Sequence, residues 1–269
     1  MAAGADEVEV RRPRSRRGAV GAASVMLEDD HRLVAPPRLA LLLELRRSME
    51  GRHHRWDVMD QGDVAAHRFL MGLLGEQRPG DAVLSEEGVD DRRRLQCDRV
   101  WIVDPLDGTN EYGEPGRPDW AVHVALWERG ELTAGAVALP AMGVTFSTDP
   151  APALPPVTRD RPRLVTSRYR APYAAVAIAH ALGCDAIRVG SAGAKAMMVV
   201  LGEGDIYVHD GGMYQWDSAA PAAVAAAAGL HVSRLDGSPL VYNQPDPWLP
   251  DFMVCRPELA DDVLRALWG

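Results

Sequence analysis

RVWIVDPLDGTN, residues 99–110, decides how this chain is read. Its first six residues form a short apolar run closed by a carboxylate, the pattern of a buried strand, and the DPLDGTN that ends it has the composition of a turn. Pro105 biases Asp104 away from helical geometry, so the side chains of Asp104 and Asp107 can converge on one point. Two carboxylates converging this way need a cation. Hard divalent ions such as Mg²⁺ take oxygen ligands and keep several waters. Such a site draws on a backbone carbonyl, for which Leu106 is placed, and on further carboxylates, for which Glu86, Glu87 and Asp217 are candidates. By itself a DxxD pair also marks an ordinary Asp-rich surface turn, and it is the strand in front that favours the metal. Gly108 and Thr109 follow directly, where backbone N–H groups can face an anion such as a phosphate and glycine permits close approach. Asp107 and Thr109 also read as plain helix caps.

Working outward, the segment from Pro37 to about Glu50 is helical in pattern, and a second helix is expected from about Asp63 to Gln77 with Val64, Phe69, Leu70, Leu73 and Leu74 on its apolar side. Downstream, Asp119–Trp127, Leu132–Leu139 and Val144–Thr148 alternate as strands around the turns ERGE and PAMG, an antiparallel meander. The Pro-rich stretch Pro150 to Pro162 reads as a linker. After it, strand and helix patterns alternate: RLVTS, a helix from Ala171 to Leu182, AIRVG, a helix from Ala192, and DIYVHD. The Ala-rich run WDSAAPAAVAAAAG is a helix entered at Trp216 and Asp217 and stopped by Gly229, followed by short strands near HVSRL and FMVCR. Residues 26–150 are thus expected to form an α+β half that binds metal, and 151–269 an α/β half that completes the site. Residues 1–25 hold Arg11, Arg12, Arg14, Arg16 and Arg17 without apolar periodicity. They are expected to be a disordered basic extension, either a docking tail or a dispensable stretch ahead of an alternative start at Met26.

Composition narrows the partners. A formal net charge of -9 disfavours a nucleic-acid polymer, while an anionic small molecule can still be captured where cations reverse the local field. The three cysteines, Cys97, Cys184 and Cys255, are widely spaced with no CxxC pair, which suggests neither a disulfide framework nor a zinc site and fits a reducing cytoplasm. No apolar run is long enough to span a bilayer, and no signal-peptide core is visible at the N-terminus, so a cytoplasmic protein with no membrane partner is expected. The histidines show no clustering, and His123 in the meander defaults to a packing role.

Three segments together, LSEEG at 84–88, WIVDPLDGTNEY at 101–112 and WDSAAP at 216–221, resemble in order and spacing the signatures of the inositol-monophosphatase superfamily, and the likeness runs from roughly Leu41 to the C-terminus. The resemblance implies a layered αβαβα sandwich. It implies that Glu86, Asp104 and the Leu106 carbonyl hold one Mg²⁺ while Asp104, Asp107 and Asp217 hold a second. Asp63, twenty-three residues before Glu86, matches the carboxylate that, with Thr109, orients and activates the attacking water; it also reads as a helix N-cap. The segment HHRWDVMDQGD at 53–63 departs from the family's usual mobile loop, which leaves a third metal open.

GSAGAKAM at 190–197 looks like the GSxxxK segment of the bisphosphate-nucleotidase branch, where Ser191 and Lys195 would meet a second phosphate; Lys195 also reads as an exposed residue on a helix. The tail SRLDGSPLVYNQPDPWLPD resembles the actinobacterial members of that branch. Asp210 matches instead an acidic position that in inositol monophosphatases contacts substrate hydroxyls. The expected activity is therefore Mg²⁺-dependent removal of the 3'-phosphate from 3'-phosphoadenosine 5'-phosphate, and from 3'-phosphoadenylyl sulfate, with lithium inhibition. Inositol monophosphatase activity is the near alternative, and a non-catalytic Mg²⁺- or nucleotide-binding regulator is the alternative of another class. Both monomers and homodimers fit the superfamily.

Overall fold

The computed structural model describes residues 40–269; the expected basic extension over 1–25, and residues 37–39 of the expected first helix, lie outside the described residues. Helices α1 (Ala40–Met49) and α2 (Arg55–Gln77) pack on one face of a five-stranded sheet. That sheet holds β1 (Ala82–Ser85), β2 (Arg99–Asp107), β3 (Ala121–Glu128), β4 (Glu131–Leu139) and β5 (Val144–Ser147) in sequence order, with β1 parallel to β2 and the rest antiparallel. A second sheet, in the order β7-β6-β8-β10-β9, holds β6 (Arg163–Ser167), β7 (Asp185–Val189), β8 (Ile206–Tyr214), β9 (His231–Ser233) and β10 (Trp248–Cys255).

The short helix α3 (Thr109–Tyr112) follows β2; between the sheets lie α5 (Ala192–Val200) and α6 (Gln215–Ala227), and the outer face of the second sheet is covered by α4 (Tyr173–Leu182) and α7 (Ala260–Trp268). The layers therefore run α, β, α, β, α, the sandwich expected from the sequence. β2 shows why its segment reads as a continuous apolar run: Trp101 and Val103 point to the α1/α2 side, Val100 and Ile102 to the α5/α6 side, and all four are buried. Each such side chain contributes about 1.5–3 kcal/mol when fully removed from water. The central cluster takes residues from both sheets, Ile102 and Val137 from one and Val165 and Phe252 from the other, so the two halves of the chain share one core.

Several boundaries differ from expectation. α2 begins eight residues before Asp63, because His54 and Asp57 make a capping box: the His54 ring accepts from Trp56 N, and Asp57 accepts from His54 N at 3.2 Å. Asp63 is thus mid-helix and not an N-cap, and most of the segment 53–63 is helical. Strand β1 was missed, four residues being too short to show a period, and so was α7. The segment Pro150–Pro162 contains no helix or strand but is firmly tied down. Asp205 accepts from Arg159 Nε at 3.0 Å, Arg256 Nε at 3.1 Å and Arg163 N at 2.8 Å, while Arg256 Nη2 reaches Pro155 O at 2.8 Å.

Candidate active site

β2 does not end at Asp104. It continues through Pro105 to Asp107, with its register against β3 broken between the two aspartates, and this irregularity turns both side chains toward the centre of the molecule. Asp104 Oδ1 accepts from Leu106 N at 3.0 Å, which folds the segment back on itself. Gly108 follows at φ +85°, a left-handed conformation that suits glycine, and a Cβ there would lie 2.7 Å from Ser191 Cβ. The third carboxylate arrives from the other half. Asp217 occupies the third position of α6, where it accepts from Tyr214 N at 2.6 Å and caps its own helix. Pro221, four residues on, lacks the N–H that would bond the Asp217 carbonyl.

One carboxylate oxygen from each of Asp104, Asp107 and Asp217 lies within 4.8 Å of the others. Such crowding in a buried setting raises the cost of ionising all three. Burial first, then Asp107, Glu86 and Asp217, push Asp104 well above the usual carboxylate range, and burial with Asp107 raises Asp217 to about 7. Three oxygens so placed, short of countercharge, fit a hard divalent cation. Glu86 stands just outside this set at the end of β1, its backbone N–H donating to Val103 O at 3.3 Å. The residue is partly exposed, yet its carboxyl contacts Asp104 and is raised by loss of water and by Glu87 and Asp107. Thr109 joins the next element: its hydroxyl lies 3.2 Å from Asp63 Oδ1 and 3.1 Å from Leu106 O. Burial and the nearby Glu87 raise Asp63 to about 7, against the hydrogen bond from Thr109.

His123 is the residue that sequence reasoning undervalued. Fully buried on β3, it places Nε2 3.1 Å from Asp107 Oδ2 and Nδ1 3.9 Å from Asp104 Oδ2, and Nδ1 donates to Trp216 O at 3.2 Å. Burial opposes its charge, yet Asp107 and the Trp216 carbonyl raise its pKa above the ordinary value. Asp107 also accepts from Ala192 N at 3.1 Å and Gly193 N at 2.6 Å. Although burial works against it, these partners and Lys195 hold Asp107 below the usual range. The sequence signal was present in GSAG: a Cβ on Gly193 would sit 2.0 Å from His123 Nε2, and one on Gly190 would collide with Glu111.

The remaining candidates are placed less simply. Ser191 is buried and caps α5, its Oγ accepting from Ala194 N at 3.0 Å, while its own N–H donates to Asp119 O. Lys195 is no exposed helix residue: it is buried, its ammonium donates to the Gly190 carbonyl and lies 5.4 Å from the centre of the Tyr207 ring, and burial lowers its pKa. Asp210 accepts from Ala174 N at 2.7 Å in the first turn of α4.

A layered sandwich with an acidic cluster at the seam of its halves fits a metal-dependent phosphatase. The chain belongs to the inositol monophosphatase family, whose model matches residues 39–151 and 157–268. It is 51% identical over 238 residues to the 3'-phosphoadenosine 5'-phosphate phosphatase of Mycobacterium bovis, covering 84% of this chain and 88% of that protein. It is 34% identical to the 3'(2'),5'-bisphosphate nucleotidase CysQ of Escherichia coli K12, over 71% of this chain and 82% of that one. The crystal structure of CysQ from Bacteroides thetaiotaomicron superposes with a TM-score of 0.65 at 26% identity, over 80% of this chain and 91% of that one.

Proposed function

We propose that this protein is a Mg²⁺-dependent phosphomonoesterase that removes the 3'-phosphate of 3'-phosphoadenosine 5'-phosphate to leave AMP, and acts likewise on 3'-phosphoadenylyl sulfate. One observation carries the reaction type: the cluster of Asp104, Asp107 and Asp217 stands next to a second carboxylate, Asp63, that is hydrogen-bonded to Thr109 and has a pKa of about 7. The substrate follows from the likeness to the Mycobacterium bovis protein, which bears that activity in its name.

In this reading Asp104, Asp107 and Asp217 hold one Mg²⁺, and Glu86, Asp104 and the Leu106 carbonyl a second; a third site near Asp63 is compatible with the half-exposed Asp63 and Glu87. Bound Mg²⁺ supplies positive charge to the phosphoryl oxygens and the leaving alkoxide and makes a water more acidic. The rest falls to the chain. Asp63 Oδ1 takes the proton of the attacking water, and a pKa near the working pH suits that task. The Thr109 hydroxyl, shared between Asp63 and the Leu106 carbonyl, fixes the orientation of the accepting oxygen. Gly108, which presents backbone without a side chain, lets the phosphate approach, and the turn at Ser191 closes that side of the cleft. Lys195 and His123 lie behind Asp107 and lend it positive charge from within the core.

Neither residue that framed the substrate choice in the sequence is free. Lys195 donates to the Gly190 carbonyl and Asp210 accepts from Ala174 N, so each already has a partner within the protein, and the choice between nucleotide and inositol phosphate falls to the assay. The test is Mg²⁺-dependent phosphate release from 3'-phosphoadenosine 5'-phosphate, inositol 1-phosphate and fructose 1,6-bisphosphate in parallel, with Asp104→Asn as control and lithium as inhibitor. Preference for the nucleotide, lost in the variant, is the expected result. Preference for inositol phosphate would reverse the substrate assignment, and no release from any of the three would remove the enzymatic reading.

A further inference from the structure

The tail segment from Tyr242 to Pro247 lies apart from the carboxylate cluster but touches both elements that deliver its outer members. On one side is Arg94, in the connection between β1 and β2 that begins with Glu86. Its side chain is entirely buried and each of its guanidinium nitrogens is hydrogen-bonded. Nε and Nη2 bond the two oxygens of Asp90 at 2.7 and 3.1 Å, Nη1 bonds Asn243 Oδ1 at 2.7 Å, and Nη2 also bonds Gln244 O at 2.9 Å. Asn243 returns a bond from Nδ2 to Arg94 O at 3.3 Å, and it holds φ +55°, a conformation asparagine tolerates better than most residues.

On the other side the same segment holds the first turn of α6. Gln215 N donates to Pro247 O at 2.8 Å and Gln215 Nε2 to Asp246 O at 3.2 Å, two residues before Asp217. The Tyr242 hydroxyl reaches Ser218 Oγ at 3.2 Å, one residue after it. The tail thus bridges two stretches of chain that are more than a hundred residues apart and that each present a carboxylate to the same cleft.

We infer that Arg94 is a positioning residue for the metal-binding carboxylates: through Asn243 and Gln244 it fixes the Glu86-bearing segment relative to the α6 turn that carries Asp217. The physical basis is geometric. Glu86 follows β1 and Asp217 sits in the first turn of α6, the two share no direct bond, and Mg²⁺ tolerates little error in the separation of its ligands. A planar guanidinium that bonds a carboxylate bidentately and two tail acceptors at once transmits position as a flexible ammonium cannot. The inference rests on the metal-site reading given above.

The test is metal binding by the full-length protein, read by Mn²⁺ electron paramagnetic resonance and by Mg²⁺ calorimetry, alongside the Mg²⁺ dependence of phosphate release. Arg94→Lys and Asn243→Gly are the variants; glycine keeps the left-handed backbone at 243 while deleting the amide, and carries the test if Arg94→Lys fails to fold. Arg234→Lys is the control, because Arg234 makes a similar two-point pair with Asp251 without a hydrogen bond to α6. Expected is a loss of metal affinity of about ten-fold in both variants, a matching rise in half-saturating Mg²⁺, and kcat at saturating Mg²⁺ within about three-fold of the parent. Arg234→Lys should bind metal normally. If Arg94→Lys and Asn243→Gly only lower thermal stability and bind metal like the parent, Arg94 is a structural brace and the inference fails. If Asp104→Asn also binds metal like the parent, it is the site reading itself that fails.

Discussion

Asp107 and Asp63 are joined through the turn that runs from Asp107 to Thr109, yet they are held in opposite ways. Asp107 is buried, takes two backbone N–H bonds from the start of α5 and has His123 against its second oxygen, so that it stays ionised and fixed. Asp63 is half-buried in the middle of α2, has the Thr109 hydroxyl as its hydrogen-bond donor, and is raised to about 7. The difference separates two jobs for one side-chain type. A carboxylate surrounded by donors keeps a negative charge in place for a cation, whereas one with a single donor and a like-charged neighbour is poised to exchange a proton.

Removing the charge from the fixed member should have the largest effect. Asp107→Asn is expected to reduce turnover by about 10³-fold or more and to weaken metal binding, as measured by steady-state kinetics and calorimetry. Asp63→Asn should lower kcat by about 10²- to 10⁴-fold with metal affinity largely kept, and should remove the acid limb of the pH–rate profile near 7. If instead the two substitutions affect metal binding alike, the distinction between the two carboxylates is broken. Gly193→Ala probes the packing behind Asp107. Its Cβ would intrude on the His123 ring, with an expected loss of about 1–3 kcal/mol in urea denaturation that His123→Asn partly restores in the double variant.

The smallest effect concerns pH. Asp63 and Asp217 have pKa values raised in the folded protein, so the metal-free fold binds more protons than the unfolded chain. Their contribution to stability is fully present below about 4 and is lost as pH rises through about 7. The melting temperature in chelator should therefore decline over that window, and saturating Mg²⁺ should flatten the decline.

Much of this was legible before any coordinates. The apolar strand ending at Asp104 and the helix opening on WDSAAP announced themselves because a buried strand and a capped helix each leave a compositional trace. So did the alternation after Pro162, which gave the second sheet. What stayed hidden depends on contacts between distant parts of the chain. His123 looks like any alternating strand residue until β3 is placed beneath Asp107. Lys195 reads equally as a phosphate contact or a surface lysine because its burial is set by Tyr207 and Gly190, and the bond from Ala174 N to Asp210 leaves no trace in the sequence because the two lie thirty-six residues apart. The capping box at His54 was readable locally, but the histidine is an uncommon cap, and the helix was begun too late in consequence.

The segment from Pro150 to Pro162 reads as a linker on composition alone. The structure rivets it. Asp205 gathers Arg159, Arg256 and the Arg163 N–H at one point, the same Arg256 also bonds Pro155 O, and the sheets on either side share the same interior. Jaw-like opening of one half against the other would have to expose that shared core, while the ionic knot, whose members all lie in the second half, holds the linker to that half. Access to the cleft therefore does not come from parting the two layers of sheet, which form one frame around a common interior.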